Sequence, residues 1–455
     1  MIGAGGRGRN PSRRGRRPDG YTRSNFAVPT RMLSLHSARN RARNNGRPAR
    51  IGLAIAGGGP IGGMYELGAL RALDEAIEGW DLTRLDGYVG VSSGAFLAAG
   101  LANRIDTAEM CRIFITGDSA DVQFRPETFL RPAIFEYLRR ASRLPRLAAT
   151  WWQELLFSHN ESRWSDLLMH FGALVPTGMF DNAQVERFLQ DVFSRRGRSN
   201  DFRELDANLC VVAVDLDSGE VAKFGTEGLD DVPISVAVQA SAALPGLYPP
   251  VEIGGRHFVD GALRRTMHAS VLLDRDVDLM IGLNPLVPFT QDDSGQPVSA
   301  ERSLAAGGLP AVLSQTFRTL LQSRMQVGLA RYAQQYPNID QLIFEPNAGD
   351  AELFFTNAFS FSARRRICEI AYRNTMADLR RRADELEPVL AANGLALRMD
   401  VVGDVNRTLL DGLTPPPRDS DTTARLRRAL DDMEHRHPPT APAARRRPRA
   451  SRRAP

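Results

Sequence analysis

The sequence predicts an α/β fold built on a mainly parallel sheet. Two short apolar runs, Ile51–Ala56 and Tyr88–Val91, have the length of buried strands. Each leads through a glycine-bearing turn into a helical pattern, Met64–Ile77 after the first and Ala95–Ala102 after the second. Two strand–helix units within about 50 residues are the pattern of helices laid on a parallel sheet.

Taken in order, structure is expected to begin at Ile51. In Met64–Ile77, Leu67, Leu70, Leu73 and Ile77 fall on one helical face. Residues 105–175 lack a strand pattern and are helix-prone and aromatic: Phe114, Phe124, Phe129, Phe135, Tyr137, Trp151, Trp152, Phe157 and Trp164. They read as a helical insertion on the α/β core, either ordinary packing or a lid offering apolar surface to a lipid-like substrate. Strands resume at Leu209–Leu216, which turns through Asp217-Ser218-Gly219 into Val221–Phe224 as a hairpin. Leu279–Leu283 is a further strand. Residues 310–335 and 362–392 are helical and Arg-rich, and the arginines of 362–382 read as a solvated face. The implied organisation is a basic tail over 1–50, a catalytic domain over 51–290, a helical extension packed on it over 291–434, and a second basic tail over 435–455.

The net charge of the 455-residue chain is +5, unevenly spread. Residues 1–50 hold 13 Arg against Asp19, and residues 435–455 hold 7 Arg and no acid, which leaves 51–434 at −14. Lys223 is the single lysine, an arginine bias that a GC-rich genome would produce. Both tails have the composition of disordered segments. They carry the charge to touch an anionic membrane peripherally, at about 1 kcal/mol per Arg, or nucleic acid without sequence specificity; a solvated, solubilising tail explains them equally. The pairs Arg13-Arg14 and Arg16-Arg17 resemble an export signal, but Pro18–Asn40 holds no apolar run long enough for one. No stretch reaches the ~18 apolar residues of a membrane span. Cys111, Cys210 and Cys368 stand far apart, which excludes a disulfide scaffold and a Cys-based zinc site. A cytoplasmic protein, peripheral to a membrane at most, is the expectation.

Three glycine-bearing sites carry the chemistry. Gly57-Gly58-Gly59-Pro60-Ile61-Gly62-Gly63 joins a strand to a helix. Glycines permit close backbone approach, and a helix start offers unpaired N–H groups, so the loop can hold a phosphate or an oxyanion. Gly57-x-Gly59-x-x-Gly62 also fits a dinucleotide fingerprint, but the second strand does not end on the ribose-binding acid that fingerprint requires. It ends on Gly90-Val91-Ser92-Ser93-Gly94, a G-x-S-x-G pattern at a strand-to-helix turn. Such a turn exposes a nucleophilic serine, and Ser92 holds the central position. The third site is Asp260-Gly261-Ala262, after the β-prone His257-Phe258-Val259. A serine hydroxyl needs a base, and none of the seven histidines (His36, His159, His170, His257, His268, His435, His437) has a triad context. Asp260 on its turn can act on the serine directly; alone, an Asp-Gly would be an ordinary turn.

Together and in this order, the three sites resemble the patatin-like phospholipases. The resemblance extends to Ala240–Asp260 and to Asp278–Pro285, covering about 51–290. It implies a three-layer α/β/α fold and a Ser–Asp dyad without histidine: Ser92 as nucleophile, Asp260 as general base, and Gly57, Gly58 and Gly59 as the oxyanion loop, with Gly90, Gly94 and Gly261 as motif support. The implied activity is serine acyl hydrolysis of phospholipid or related acyl esters, needing no cofactor or metal. Where the family carries Arg or Lys before the last glycine of its loop, this chain has Ile61 preceded by Pro60. Proline fixes φ and is expected to stiffen the loop instead. Acyl transfer through the same dyad, a silent lipid- or granule-associated binding protein, and nucleotide binding through the glycine loop are the competing readings.

Overall fold

A computed structural model describes residues 33–38, 47–125, 127, 129, 178–286, 308–346 and 361–413. The elements run β1 (Leu33–His36), β2 (Ile51–Ile55), α1 (Gly59–Ala76), β3 (Ile77–Glu78), β4 (Gly87–Val91), α2 (Ser93–Ala102) and α3 (Thr107–Cys111). From 178 onward come α4 (Ala183–Phe193), β5 (Asn208–Asp215), β6 (Val221–Phe224), α5 (Ile234–Ser241), β7 (Val251–Ile253), β8 (Arg256–Asp260), α6 (Ser270–Leu273) and β9 (Leu279–Leu283). Then follow α7 (Gly308–Gln335), β10 (Asp340–Phe344), α8 (Phe361–Arg381), α9 (Ala383–Ala392), β11 (Ala396–Leu397) and α10 (Met399–Val402).

The main sheet has the order β1-β10-β9-β2-β4-β5-β8-β7, with β6 on β5. Its centre, β10 through β5, is parallel. The edges are antiparallel: β1 on β10, and β6, β8 and β7 on the other side. Successive side chains of a strand point to opposite faces, and β2 feeds two separate cores. Leu53 and Ile55 pack with the α1, α2 and α8 side chains, while Ala54 and Ala56 pack with Val271 and Leu272 of α6 and Met325 and Tyr332 of α7. A sheet buried on both faces reads as continuous apolar runs, and β2, β4 and β9 are buried at every residue. The architecture is the α/β fold with a mainly parallel sheet that the βα units predict, with helices on both faces as the resemblance implies.

Several elements depart from the sequence reading. Order precedes Ile51, because Leu33–His36 pairs with β10 as an edge strand and Leu33 is buried. The segment after 290 is not only helical: Gln341-Leu342-Ile343-Phe344 is a short apolar run that takes a place in the sheet beside β9. The first residues assigned to the insertion belong to the core, since Thr107, Met110, Cys111, Ile113 and Ile115 are buried. The Arg-rich helix α8 is not simply a solvated face either. Ile367, Cys368, Ala371, Tyr372 and Leu379 form its buried side, and Arg364 is itself buried, as is Arg382 just after the helix, while Arg365, Arg366 and Arg373 are exposed. Phe135, Tyr137, Trp151, Trp152, Phe157 and Trp164, and with them the lid reading, lie outside the described residues, as do most of the N-terminal tail and the whole of 435–455. Among the described residues, no helix is long and apolar enough to cross a membrane.

Candidate active site

Topology brings the three glycine-bearing sites to one end of the sheet. β2 and β4 are adjacent and parallel, so the loops that leave their C-terminal ends share an edge, the place where open α/β sheets bind ligands. β8 reaches the same edge by pairing antiparallel with β5. Val91 pairs with Val212, and the next residue of β5, Ala213, pairs with Asp260. Ser92 and Asp260 therefore stand level, two strand spacings apart, or about 10 Å between backbones. Both side chains line one cavity, and the Ser92 hydroxyl is among the groups that act on the Asp260 carboxyl, opposing the upward push of burial.

Ser92 sits between β4 and α2 with φ 52° and ψ −120°. A non-glycine residue held at positive φ marks local strain of the kind found at functional turns. The turn is tight enough to exclude side chains on both flanks. A Cβ on Gly94 would lie 2.4 Å from the Ile55 carbonyl oxygen, and one on Gly90 would lie 2.5 Å from the Ala95 Cα. Ser92 is 6 % exposed, and its backbone N–H donates to the Ser241 hydroxyl at 2.8 Å.

Asp260 ends β8 and starts a 3₁₀ turn at Gly261–Leu263. Its Oδ1 accepts the Ala262 N–H at 2.8 Å. Gly261 is required by close packing, because a Cβ there would lie 2.3 Å from the Val212 carbonyl oxygen. Burial pushes the Asp260 carboxyl up to about 6, against the opposing hydrogen bonds from the Ala262 N–H and Ser92. A base near that value is matched to proton transfer at neutral pH.

His268 lies behind this turn. It is buried, its Nε2 is 3.4 Å from the Gly261 carbonyl oxygen, and burial pushes its imidazole down to about 4. It is a neutral support for the Asp260 turn. His257, the residue three before Asp260, is half-exposed and faces Asp217 at 3.7 Å.

The glycine loop packs against both other sites. A Cβ on Gly57 would lie 3.0 Å from the Ser92 Cβ and 3.2 Å from the Ala262 Cβ. The expectation that Gly57 supplies an oxyanion donor does not hold, because its N–H donates to the Thr266 carbonyl at 3.0 Å. The Gly58 N–H donates to the Ser93 hydroxyl at 3.0 Å. Gly59, at φ 62°, is the first residue of α1, where an amide has no intrahelical acceptor; the same holds for the first amides of α2. Pro60 opens the helix behind Gly59, and Pro285 presses on the loop from outside, within 2.4 Å of where a Gly58 Cβ would stand. Loop order thus comes from the Thr266 carbonyl, Ser93 and Pro285, residues beyond the loop itself.

Ser92, Asp260 and the loop open onto a cavity of about 650 Å³, within the usual range for small-molecule pockets. Its wall is apolar and includes Met64, Phe96, Leu97, Phe114, Phe124, Phe129, Val185, Leu244 and Leu247. Phe114, Phe124, Phe129 and Phe188 form a packed aromatic group with centroids 4.9–6.2 Å apart. Arg364 of α8 also lines the cavity; it donates to the Phe114 carbonyl at 3.0 Å and stands 5.5 Å from the Phe124 ring centroid. Sequence reasoning missed Arg364 and Ser241. No local pattern marks an arginine on a distant helix as a cavity residue, whereas Ser241 lies inside the Ala240–Asp260 stretch and could have been singled out there.

The model of the patatin-like phospholipase family matches residues 53–273. Solved structures similar to this chain include VipD from Legionella pneumophila, at 18 % identity over 58 % of this chain and 55 % of that one, with a TM-score of 0.30. Full-length ExoU of Pseudomonas aeruginosa in complex with SpcU matches at 14 % identity over 71 % and 63 %, with a TM-score of 0.25. Human GIVD cytosolic phospholipase A2 in complex with methyl γ-linolenyl fluorophosphonate matches at 11 % identity over 76 % and 59 %, with a TM-score of 0.30. The matches span 55–63 % of the length of these proteins. Residues 53–273 of the chain are a patatin-like phospholipase domain.

Proposed function

We propose that the chain is a serine acyl hydrolase that cleaves carboxylic esters of phospholipids or related lipids through an acyl-Ser92 intermediate, with Asp260 as general base. The observation that carries this reading is that Ser92 and Asp260 line one apolar cavity together, the serine at positive φ and the carboxyl raised to about 6.

The Ser92 Oγ attacks the ester carbonyl carbon, and its proton passes to the Asp260 carboxylate. The negative charge that develops on the carbonyl oxygen is met by amides at the starts of α1 and α2, including that of Gly59. One such donor is typically worth ~3 kcal/mol of barrier. The tetrahedral intermediate collapses by breaking the bond to the alcohol, which takes the proton back from Asp260. Water, deprotonated by Asp260, then attacks the acyl-Ser92 carbonyl and releases the fatty acid. The apolar wall accepts the acyl chain, and burying each methylene favours binding by about 0.8 kcal/mol.

Transfer of the acyl group to an alcohol instead of water uses the same intermediate and remains the second reading. Incubation with phosphatidylcholine vesicles and mass spectrometry of the products separates them. Free fatty acid with lysolipid, absent for Ser92→Ala, is the expected result. Acylated acceptor without free fatty acid would favour transfer, and no product from the wild type would contradict both.

A further inference from the structure

A polar chain that the dyad does not use lies behind the nucleophile turn. Glu66 of α1 is fully buried. Its Oε2 is 3.2 Å from the Ser93 hydroxyl, and its Oε1 has no hydrogen-bond partner among the described residues. A carboxylate out of water, with a hydroxyl as its partner, is held neutral; burial pushes the Glu66 carboxyl well above its ordinary value.

The position of that proton follows from satisfying donors. On Oε2 it has the Ser93 oxygen to bond, and the carbonyl-type Oε1 is left unpaired. On Oε1 it would be a buried O–H with no acceptor, in addition to the same geometry at Oε2, which is the costlier arrangement. The Ser93 oxygen can accept two hydrogen bonds and donate one. The Gly58 N–H takes one acceptor site at 3.0 Å, and the Glu66 hydroxyl takes the other. The hydrogen of Ser93 is then left to donate elsewhere. Ser93 lines the cavity together with Ser92, Gly58 and Gly59, so the open direction is the one in which an acyl ester would lie.

We propose that the Ser93 hydroxyl is a side-chain donor to the oxyanion that forms when Ser92 attacks an ester, and that Glu66 is the positioning residue that fixes the direction of this donation. The inference rests on the serine acyl hydrolase reading of Ser92 and deepens it. It turns the second serine of Gly-Val-Ser-Ser-Gly from a spacer into a catalytic residue, and it gives the buried carboxyl of α1 a task.

The test compares the wild type with Ser93→Ala, Glu66→Met, Glu66→Gln and the double variant Ser93→Ala/Glu66→Met. The readouts are p-nitrophenyl octanoate hydrolysis, the rate of labelling by an alkyl fluorophosphonate, and thermal melting. Ser93→Ala is expected to lower kcat by about 100- to 1,000-fold, as for other lost oxyanion donors, with KM within about twofold and a cooperative melt retained. Glu66→Met should fall in the same way. Glu66→Gln should recover kcat several-fold over Glu66→Met, because a carboxamide N–H can donate to Ser93 as the carboxyl does. The double variant should be no slower than Ser93→Ala, as expected of residues acting through one group. Wild-type kcat in Ser93→Ala, a loss confined to KM, or a Glu66→Gln as slow as Glu66→Met would each overturn the proposal. Should Glu66→Met not fold, Ser93→Ala against Glu66→Gln decides. Equal labelling of wild type and Ser93→Ala contradicts this inference alone, whereas a wild type that takes no label contradicts the hydrolase reading as well.

Discussion

The hydroxyl of Ser241 holds the backbone of Ser92. It accepts the Ser92 N–H at 2.8 Å and donates to the Val212 carbonyl at 2.6 Å, tying the strained turn to the adjacent strand β5. Both serines are buried, so nothing in solvent replaces this bridge. Ser241→Ala leaves the Ser92 N–H without its acceptor, a loss of about 1–3 kcal/mol. We expect a lowered melting temperature and a drop in kcat larger than any change in KM, because the turn that presents the nucleophile is what loosens. Unchanged melting and kcat would show that the turn is held by packing alone.

The base should also be visible in the pH profile. In the proposed mechanism Asp260 must be ionised to accept the Ser92 proton, and burial pushes it up to about 6. Activity is expected to be flat above about pH 7 and to fall tenfold per unit well below 6. The same shift affects stability with a definite sign. Between the ordinary aspartate value and about 6, the folded chain keeps a proton that the unfolded chain releases. Stability is therefore lost as pH rises through that window, by roughly 3 kcal/mol on the order-of-magnitude conversion of pKa to free energy. Asp260→Asn cannot ionise. It should be inactive yet melt above the wild type at pH 7, with the gap closing below pH 4. A variant that melts lower at pH 7 would mean that the carboxylate is better solvated than its burial implies.

How far the sequence carried this picture depended on how local each signal was. The strands Val221–Phe224 and Leu279–Leu283 were legible to the residue because each is a short apolar run between turn signals. Ser92 and Asp260 were legible because closely packed turns need small neighbours, and those neighbours are written next to them. Gly57 was misread for a complementary reason. Its amide is consumed by Thr266, more than 200 positions away, and no pattern inside the loop reports such a partner. Leu33–His36 escaped because it sits in a basic segment whose composition reads as a tail, and only its pairing with β10 makes it a strand. Arg364 and Glu66 were hidden because helical charges are ordinarily solvated, and only tertiary packing puts these two inside.

The cavity makes a prediction about acyl length. Its wall is apolar and its volume about 650 Å³, so each methylene that enters should gain about 0.8 kcal/mol, close to fourfold. The kcat/KM for p-nitrophenyl esters should climb steeply from acetate and level off once the chain fills the space. A series flat from acetate onward would mean that the acyl chain does not enter this cavity.

The most direct measurement is reaction of the folded protein with an alkyl fluorophosphonate, read by intact mass, for wild type and Ser92→Ala side by side. An activated serine forms a covalent phosphonyl ester. One adduct per wild-type chain and none on Ser92→Ala is the expected result. An unlabelled, folded wild type, or a Ser92→Ala that labels equally, would contradict it.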